Sequence, residues 1–176
     1  MTKKDIAYPA YFERVDKVLT SRGLLLACAD KSGRPNAMTI GWGTIGSTWS
    51  MPMWIVLVRP SRYTYELIEQ AGDFTVNVPP AGLEQACVHC GTVSGRDHDK
   101  FAELKLTAEP GRQVSSPVIG ECVIHYECRV VHKNDLDPGT LDAQIAQQAY
   151  PAGDYHRVYF GQILAAYADC AAAEQL

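Results

Sequence analysis

Two polar clusters in this 176-residue chain carry the residue types that hold a phosphate. The first, Arg59-Pro-Ser61-Arg62-Tyr63-Thr64, stands where an apolar run gives way to a helical pattern. A helix N-terminus points unpaired amides and a partial positive charge at its surroundings. Arginines and hydroxyls beside those amides make a phosphate cradle. A helix capped by Ser61, with its arginines in solvent, is the alternative reading of the same letters. The second cluster is Ser94-Gly-Arg-Asp-His-Asp-Lys100-Phe101. It reads either as a solvated turn or as the opposite wall of one site, with Ser94 and Lys100 closing on the same anion. Upstream, Trp42 and Trp49 lie in a stretch rich in glycine. They pack either into a core or against a flat ring system, which the glycines would let approach the backbone.

Two further patterns have chemical readings. On a helix the thiols of Cys87-Val-His-Cys90 share a face, which suits a redox pair, metal ligands or two buried thiols. A zinc site wants a second pair of similar spacing, and Cys122-x5-Cys128 on a strand is a poor match, so no metal site is expected. Gly41-Trp-Gly43-Thr-Ile-Gly46 matches G-x-G-x-x-G, and Glu66 stands twenty residues after the last glycine. The dinucleotide reading requires a helix to start inside the glycines. The next eight residues are Ser-Thr-Trp-Ser-Met-Pro-Met-Trp, in which Pro52 and the β-branched and aromatic residues oppose a helix. That reading is refused.

The elements that must position these residues are set by periodicity. Residues 10–21 have helical spacing, with Gly23 as a stop. Strands are expected at 24–29, at 36–42 and at 53–59, the last apolar enough to be buried on both faces. A helix over 62–71 is closed by Gly72; a strand over 74–78 ends at Pro79-Pro80. Residues 82–104 read as two helical pieces broken by the turn at 94–98. Along the strand 121–132, Cys122, Ile124, Tyr126, Cys128, Val130 and His132 form the face expected to be buried. The last strand runs over 157–167. Strands joined by short turns or single helices suit an antiparallel barrel with peripheral helices better than a doubly wound parallel sheet.

Length and composition fit one domain over residues 1–176, with 47% hydrophobic and 20% charged residues. The net charge of −4 argues against a protein held to nucleic acid by its field, so an anionic ligand must be caught by local donors. No signal-peptide core stands after the first lysines, and the apolar run Trp54–Val58 is far too short to span a membrane. A cytoplasmic protein with six free thiols, bound to neither membrane nor nucleic acid, is the expectation.

With these clusters in order, the chain resembles the flavin reductase-like family of FMN-binding split barrels, and especially its flavoredoxin branch. The resemblance runs from about Gly23 to Ala166. It is carried by Asn36-Ala-Met-Thr39-Ile-Gly-Trp42, the Arg59–Thr64 cluster, Asp73-Phe-Thr-Val-Asn77-Val, Cys90-Gly-x-x-Ser94-Gly-Arg-Asp-His-Asp-Lys100-Phe and Gly153-Asp-Tyr-His156. The resemblance implies a mainly β, antiparallel split barrel with peripheral helices, paired as a homodimer whose second subunit helps close each site. It implies an FMN phosphate against Arg59, Ser61, Tyr63, Thr64, Ser94 and Lys100. The ring would lie along the second strand near Asn36, Thr39 and Trp42, and by the loop at Ser47, Thr48 and Trp49. Family members often carry Gly-Asp-His, whose histidine approaches the nicotinamide; here the letters are one residue longer, and His156 is the candidate catalytic residue. On a strand one extra residue reverses the facing of a side chain. The implied activity is hydride transfer from NAD(P)H to flavin, with an FMN electron carrier reduced by a partner protein as the alternative.

Overall fold

A computed structural model describes residues 3–176. Its strands are β1 (Lys4–Asp5), β2 (Leu24–Ala29), β3 (Pro35–Ile40), β4 (Gly43–Thr48), β5 (Met51–Val58), β6 (Asp73–Val78), β7 (Ala108–Glu109), β8 (Val118–Ile119), β9 (Ile124–Asp135) and β10 (Arg157–Ala168). The helices are α1 (Phe12–Ser21), α2 (Tyr63–Ala71), α3 (Glu84–Thr92), α4 (Lys100–Leu104), α5 (Ala143–Ala149) and α6 (Cys170–Ala173).

The main sheet runs β3-β2-β6-β9-β10-β5-β4, with β1 added to β10. All its pairings are antiparallel. Its two outer strands, β3 and β4, are consecutive in the chain but do not pair with each other. The barrel is split there, and Gly41 and Trp42 carry the chain across the seam. This is the mainly β architecture that the strand pattern predicts.

Inside, Leu24, Leu26, Trp54, Val56, Phe74, Val76, Tyr126, Cys128 and Tyr159 share one core. A second core lies under the helices, where Leu25, Ala27 and Ala37 meet Cys87, Cys90 and Phe101. Strand β2 therefore buries both faces, as its unbroken apolar letters require. Close packing across the barrel depends on Gly161, because a Cβ there would lie 2.4 Å from Phe74 Cζ and 2.9 Å from Cys128 Cβ. The β9–β10 register shifts at this residue.

Several expectations need correction. Strand β5 is not buried on both faces: Ile55 and Leu57 are only half-buried. Strand β9 does not confine burial to one face, since Ile124 to Cys128 are buried without a break. Its second face carries His125 and Glu127, which a polar reading sends to solvent. Both are enclosed because they find partners. Glu127 accepts from the amides of Arg112, Gln113 and Val114 and from the Tyr167 hydroxyl, at 2.6–3.2 Å. His125 Nδ1 lies 2.7 Å from Asn77 Oδ1. Ser47 and Thr48 belong to strand β4 rather than a loop, and Trp49-Ser50 alone makes the turn into β5. No helix starts inside the glycines at 41–46, which agrees with refusing the dinucleotide motif.

Candidate functional site

The two polar clusters meet. A cleft of about 100 Å³ is lined on one side by Ser61, Arg62, Tyr63 and Thr64, and on the other by Ser94, Gly95, Arg96 and Lys100. Asn36 and Met38 of β3 form its floor. Helix α2 starts at this wall, so the amides of Tyr63 and Thr64 precede any acceptor in their own helix. Its cap is Arg62, not Ser61 as expected: Arg62 takes the extended cap conformation, and the Ser61 hydroxyl donates instead to Asp154 Oδ2 at 2.6 Å.

Lys100 is buried, and its ammonium donates to the carbonyls of Ala37 at 2.8 Å and Cys90 at 2.9 Å. One of its three N–H groups is left for a ligand. Burial, and then the nearby Arg62 charge, push its pKa down. Among the described residues the Arg62 side chain makes no hydrogen bond, and Glu66 is paired with Arg96. Two cations thus face one cleft with no carboxylate closing on them. Thr64 Oγ1 accepts from the Asn36 amide at 2.9 Å, which leaves its own proton free to donate. Arg96 also donates to the Ser61 carbonyl at 3.1 Å and lies over the Tyr63 ring, tying the second cluster to the first. Gly95 fits flush against the floor, since a Cβ there would stand 2.0 Å from Asn36 Oδ1.

Met38 also borders a second cavity of about 210 Å³, with Ile40, Gly41, Trp42, Leu57, Arg59 and His156. Alternation along β3 turns Asn36, Met38 and Ile40 to one side, so the two cavities form a path along that strand. Thr39 faces the other way and donates to the Cys87 carbonyl at 2.5 Å. Arg59 is expected at the phosphate but is drawn off. Its guanidinium donates to the carbonyls of Ala149 at 2.8 Å and Asp154 at 3.0 Å, and lies over the Tyr150 ring. Ser61 is committed to the same turn through Asp154.

His156 is brought to the cavity despite the extra residue in its motif. The insertion falls in the turn before β10, where Asp154 takes a left-handed φ of 57° and Tyr155 stacks on Tyr150. No strand facing is reversed, because the strand begins only at Arg157. The Tyr150 hydroxyl lies 2.7 Å from His156 Nδ1, and the Trp42 ring lies 5.1 Å from the imidazole centre. Burial, helped by the Arg59 charge, lowers the His156 pKa to about 4, so the ring is neutral at pH 7. Its Nε2 has no hydrogen bond within the described chain.

Ser47, Thr48 and Trp49 are not brought to this path. Trp49 is more than half exposed and packs on Phe160 and His132, at the far end of the β4–β5 hairpin. Gly95, Arg96 and Met38 line the path without being singled out from the sequence for ligand binding, and Arg62 is read there only as one of two arginines of the cradle, with Arg59 named as the contact. Arg62 was legible as a charge in the first cluster; Met38 had only the alternation of β3 to mark it. The thiols of Cys87 and Cys90 are buried and unpaired, and burial pushes both upward, Cys90 to about 11. That favours the buried-thiol reading over a redox pair.

The family model described as the flavin reductase like domain matches residues 18–176. Among solved structures, the flavoredoxin from Methanosarcina acetivorans superposes with a TM-score of 0.68 at 31% identity, covering 84% of this chain and 68% of that one. The flavoredoxin of Desulfovibrio vulgaris (Miyazaki F) also gives 0.68, at 27% identity over 85% of this chain and 70% of that one. An uncharacterised protein of Archaeoglobus fulgidus is 36% identical over 108 residues, 61% of this chain. The match spans 60% of that relative's length.

Proposed function

The chain belongs to the flavin reductase-like family, and from that premise we propose that it binds FMN and moves electrons from NAD(P)H through it to an acceptor. One observation carries the reading: Arg62 and the buried Lys100 face a single cleft with no counter-anion, at the start of a helix. A phosphate would relieve that repulsion and take up the free donors. The small cleft suits the single terminal phosphate of FMN, and the path along β3 leads from it to the larger cavity by Trp42.

When bound, the flavin supplies the two-electron chemistry, and the chain supplies position and field. Arg62, Lys100, the Thr64 hydroxyl and the first amides of α2 would hold the phosphate. Ser94 and Arg96 close the cleft from the other side, while Asn36 fixes Thr64. Trp42 forms one wall of the larger cavity, and Tyr150 holds the His156 ring so that neutral Nε2 is offered to whatever enters. Arg59 and Ser61 secure the turn that delivers His156. We assign pairing with a second copy to the same reading; the exposed rings of Trp42 and Trp49 are surfaces such a copy would cover.

A second reading, an FMN electron carrier reduced by a partner protein, is favoured by the likeness to two flavoredoxins. One experiment separates the two. The protein is purified without added cofactor, its visible spectrum recorded, and NADH and NADPH are added separately without oxygen. A two-banded flavin spectrum that either nicotinamide bleaches is the expected result. A yellow protein that neither bleaches moves the assignment to the carrier. A colourless protein that does not take up FMN overturns both.

A further inference from the structure

A cluster outside this path has a different chemistry. His89 lies in the last turn of α3, His98 in the loop between α3 and α4, and Glu103 on α4. The Glu103 carboxylate lies 2.7 Å from His89 Nε2 and 3.0 Å from His98 Nδ1. The two imidazoles stand at 90° with their centres 6.0 Å apart. One donor atom from each residue falls within 4.8 Å of the other two. We propose that His89, His98 and Glu103 form a binding site for a divalent transition-metal ion of the zinc type.

The donor set and its geometry both point that way. Two imidazoles and a carboxylate suit zinc, cobalt or nickel, whereas calcium and magnesium want oxygen donors throughout. Bonds of about 2.0–2.2 Å to a tetrahedral ion place donors roughly 3.3 Å apart. The three groups are half-buried to exposed, so small rotations of their side chains close the difference. Nothing else in the described chain claims them. The carboxylate bonds only to the two imidazoles, and α4 is capped by Asp99, whose carboxylate accepts from Ala102. Three protein ligands leave a fourth position to solvent. The ion would join the end of α3 to α4 and so brace the loop between them, whose other side, at Ser94, Gly95 and Arg96, lines the phosphate cleft.

The test uses the protein as purified, treated with a chelator, desalted and titrated with ZnCl2 by calorimetry and with CoCl2 by visible absorption. One equivalent bound with micromolar affinity or better, cobalt bands without thiolate charge transfer, and a higher melting temperature with zinc are expected. His98→Ala and Glu103→Gln should each weaken binding at least tenfold while leaving the metal-free melting temperature unchanged. If both substitutions destabilise the fold, His89→Gln takes their place. Cys90→Ser should bind as the parent does. Absence of stoichiometric binding, a thiolate charge-transfer band, or histidine variants that bind like the parent would overturn the proposal.

Discussion

Arg59 and Arg62 both border the proposed ligand path, yet of the two only Arg62 has a guanidinium without hydrogen-bond partners among the described residues. Their substitutions should therefore separate. Arg62→Ala should weaken FMN binding roughly ten- to a hundredfold, the worth of one charge-assisted hydrogen bond. Riboflavin, which lacks the phosphate, should bind the variant as it binds the parent. Arg59→Ala instead removes the hold on the carbonyls of Ala149 and Asp154. It should lower the melting temperature and weaken both ligands alike. Fluorescence titration of each variant with both ligands gives the comparison; an Arg62 variant that loses riboflavin as much as FMN would place the phosphate elsewhere. These assignments were beyond the sequence for a simple reason. The letters of the first cluster show two cations, but which one is spent on a carbonyl depends on a turn nearly a hundred residues away.

Elements were more legible than side-chain partners. Strands β2 and β6, the two helical pieces after Pro80 and the Gly72 end of α2 all lie where periodicity and punctuation put them. Short segments such as α5 carry too little pattern to be read, and the meeting of His89 with Glu103 obeys no recognised spacing. The β4–β5 hairpin shows what the letters hid. Thr48 pairs with Met51, so Trp49 and Ser50 alone make the turn, with φ of 54° and 58°. A two-residue hairpin turn asks for that geometry at both positions, and Asn-Gly or Gly-Gly supplies it at least cost. Ser50→Gly should thus raise stability by about 0.5–1 kcal/mol in a urea titration. An unchanged midpoint would mean that Ser50 is not strained. Gly161 is the opposite case. Gly161→Ala must push Phe74 or β9 aside and should cost about 1–3 kcal/mol. A variant as stable as the parent would show that the barrel has slack where the packing shows none.

Across the whole molecule, two neutral imidazoles contribute to how the protein meets mild acid. Burial lowers the His125 pKa from 6.5 to about 3 and that of His156 to about 4. His125 shows why: Asn77 Oδ1 already accepts the amide of Ile119 at 3.1 Å and faces Nδ1, while Nε2 is enclosed without a partner. Unfolded, both rings take up protons near pH 6.5; folded, they do so only near pH 4 and below. Between those values the unfolded state binds more protons, so stability falls as the pH drops and is flat with respect to these groups above about pH 7. Melting temperatures at pH 7.5 and pH 5 should show the fall, and His125→Gln should make it smaller. An equal fall in the variant would assign the acid sensitivity to other groups.

Strand β10 is the last of the sheet in chain order, yet it sits inside the sheet between β9 and β5, with β1 also paired to it. On a ribosome, β5 and β9 must wait with open edges until that strand emerges. The walls of the proposed flavin path come from β3, α2, the loop after α3 and the turn just before β10, so the path is complete only when synthesis has passed that turn. Uptake of pigment by a nascent chain would therefore mark a late stage in the assembly of this sheet, and arrested chains ending before Gly153 should emerge colourless and in need of a chaperone.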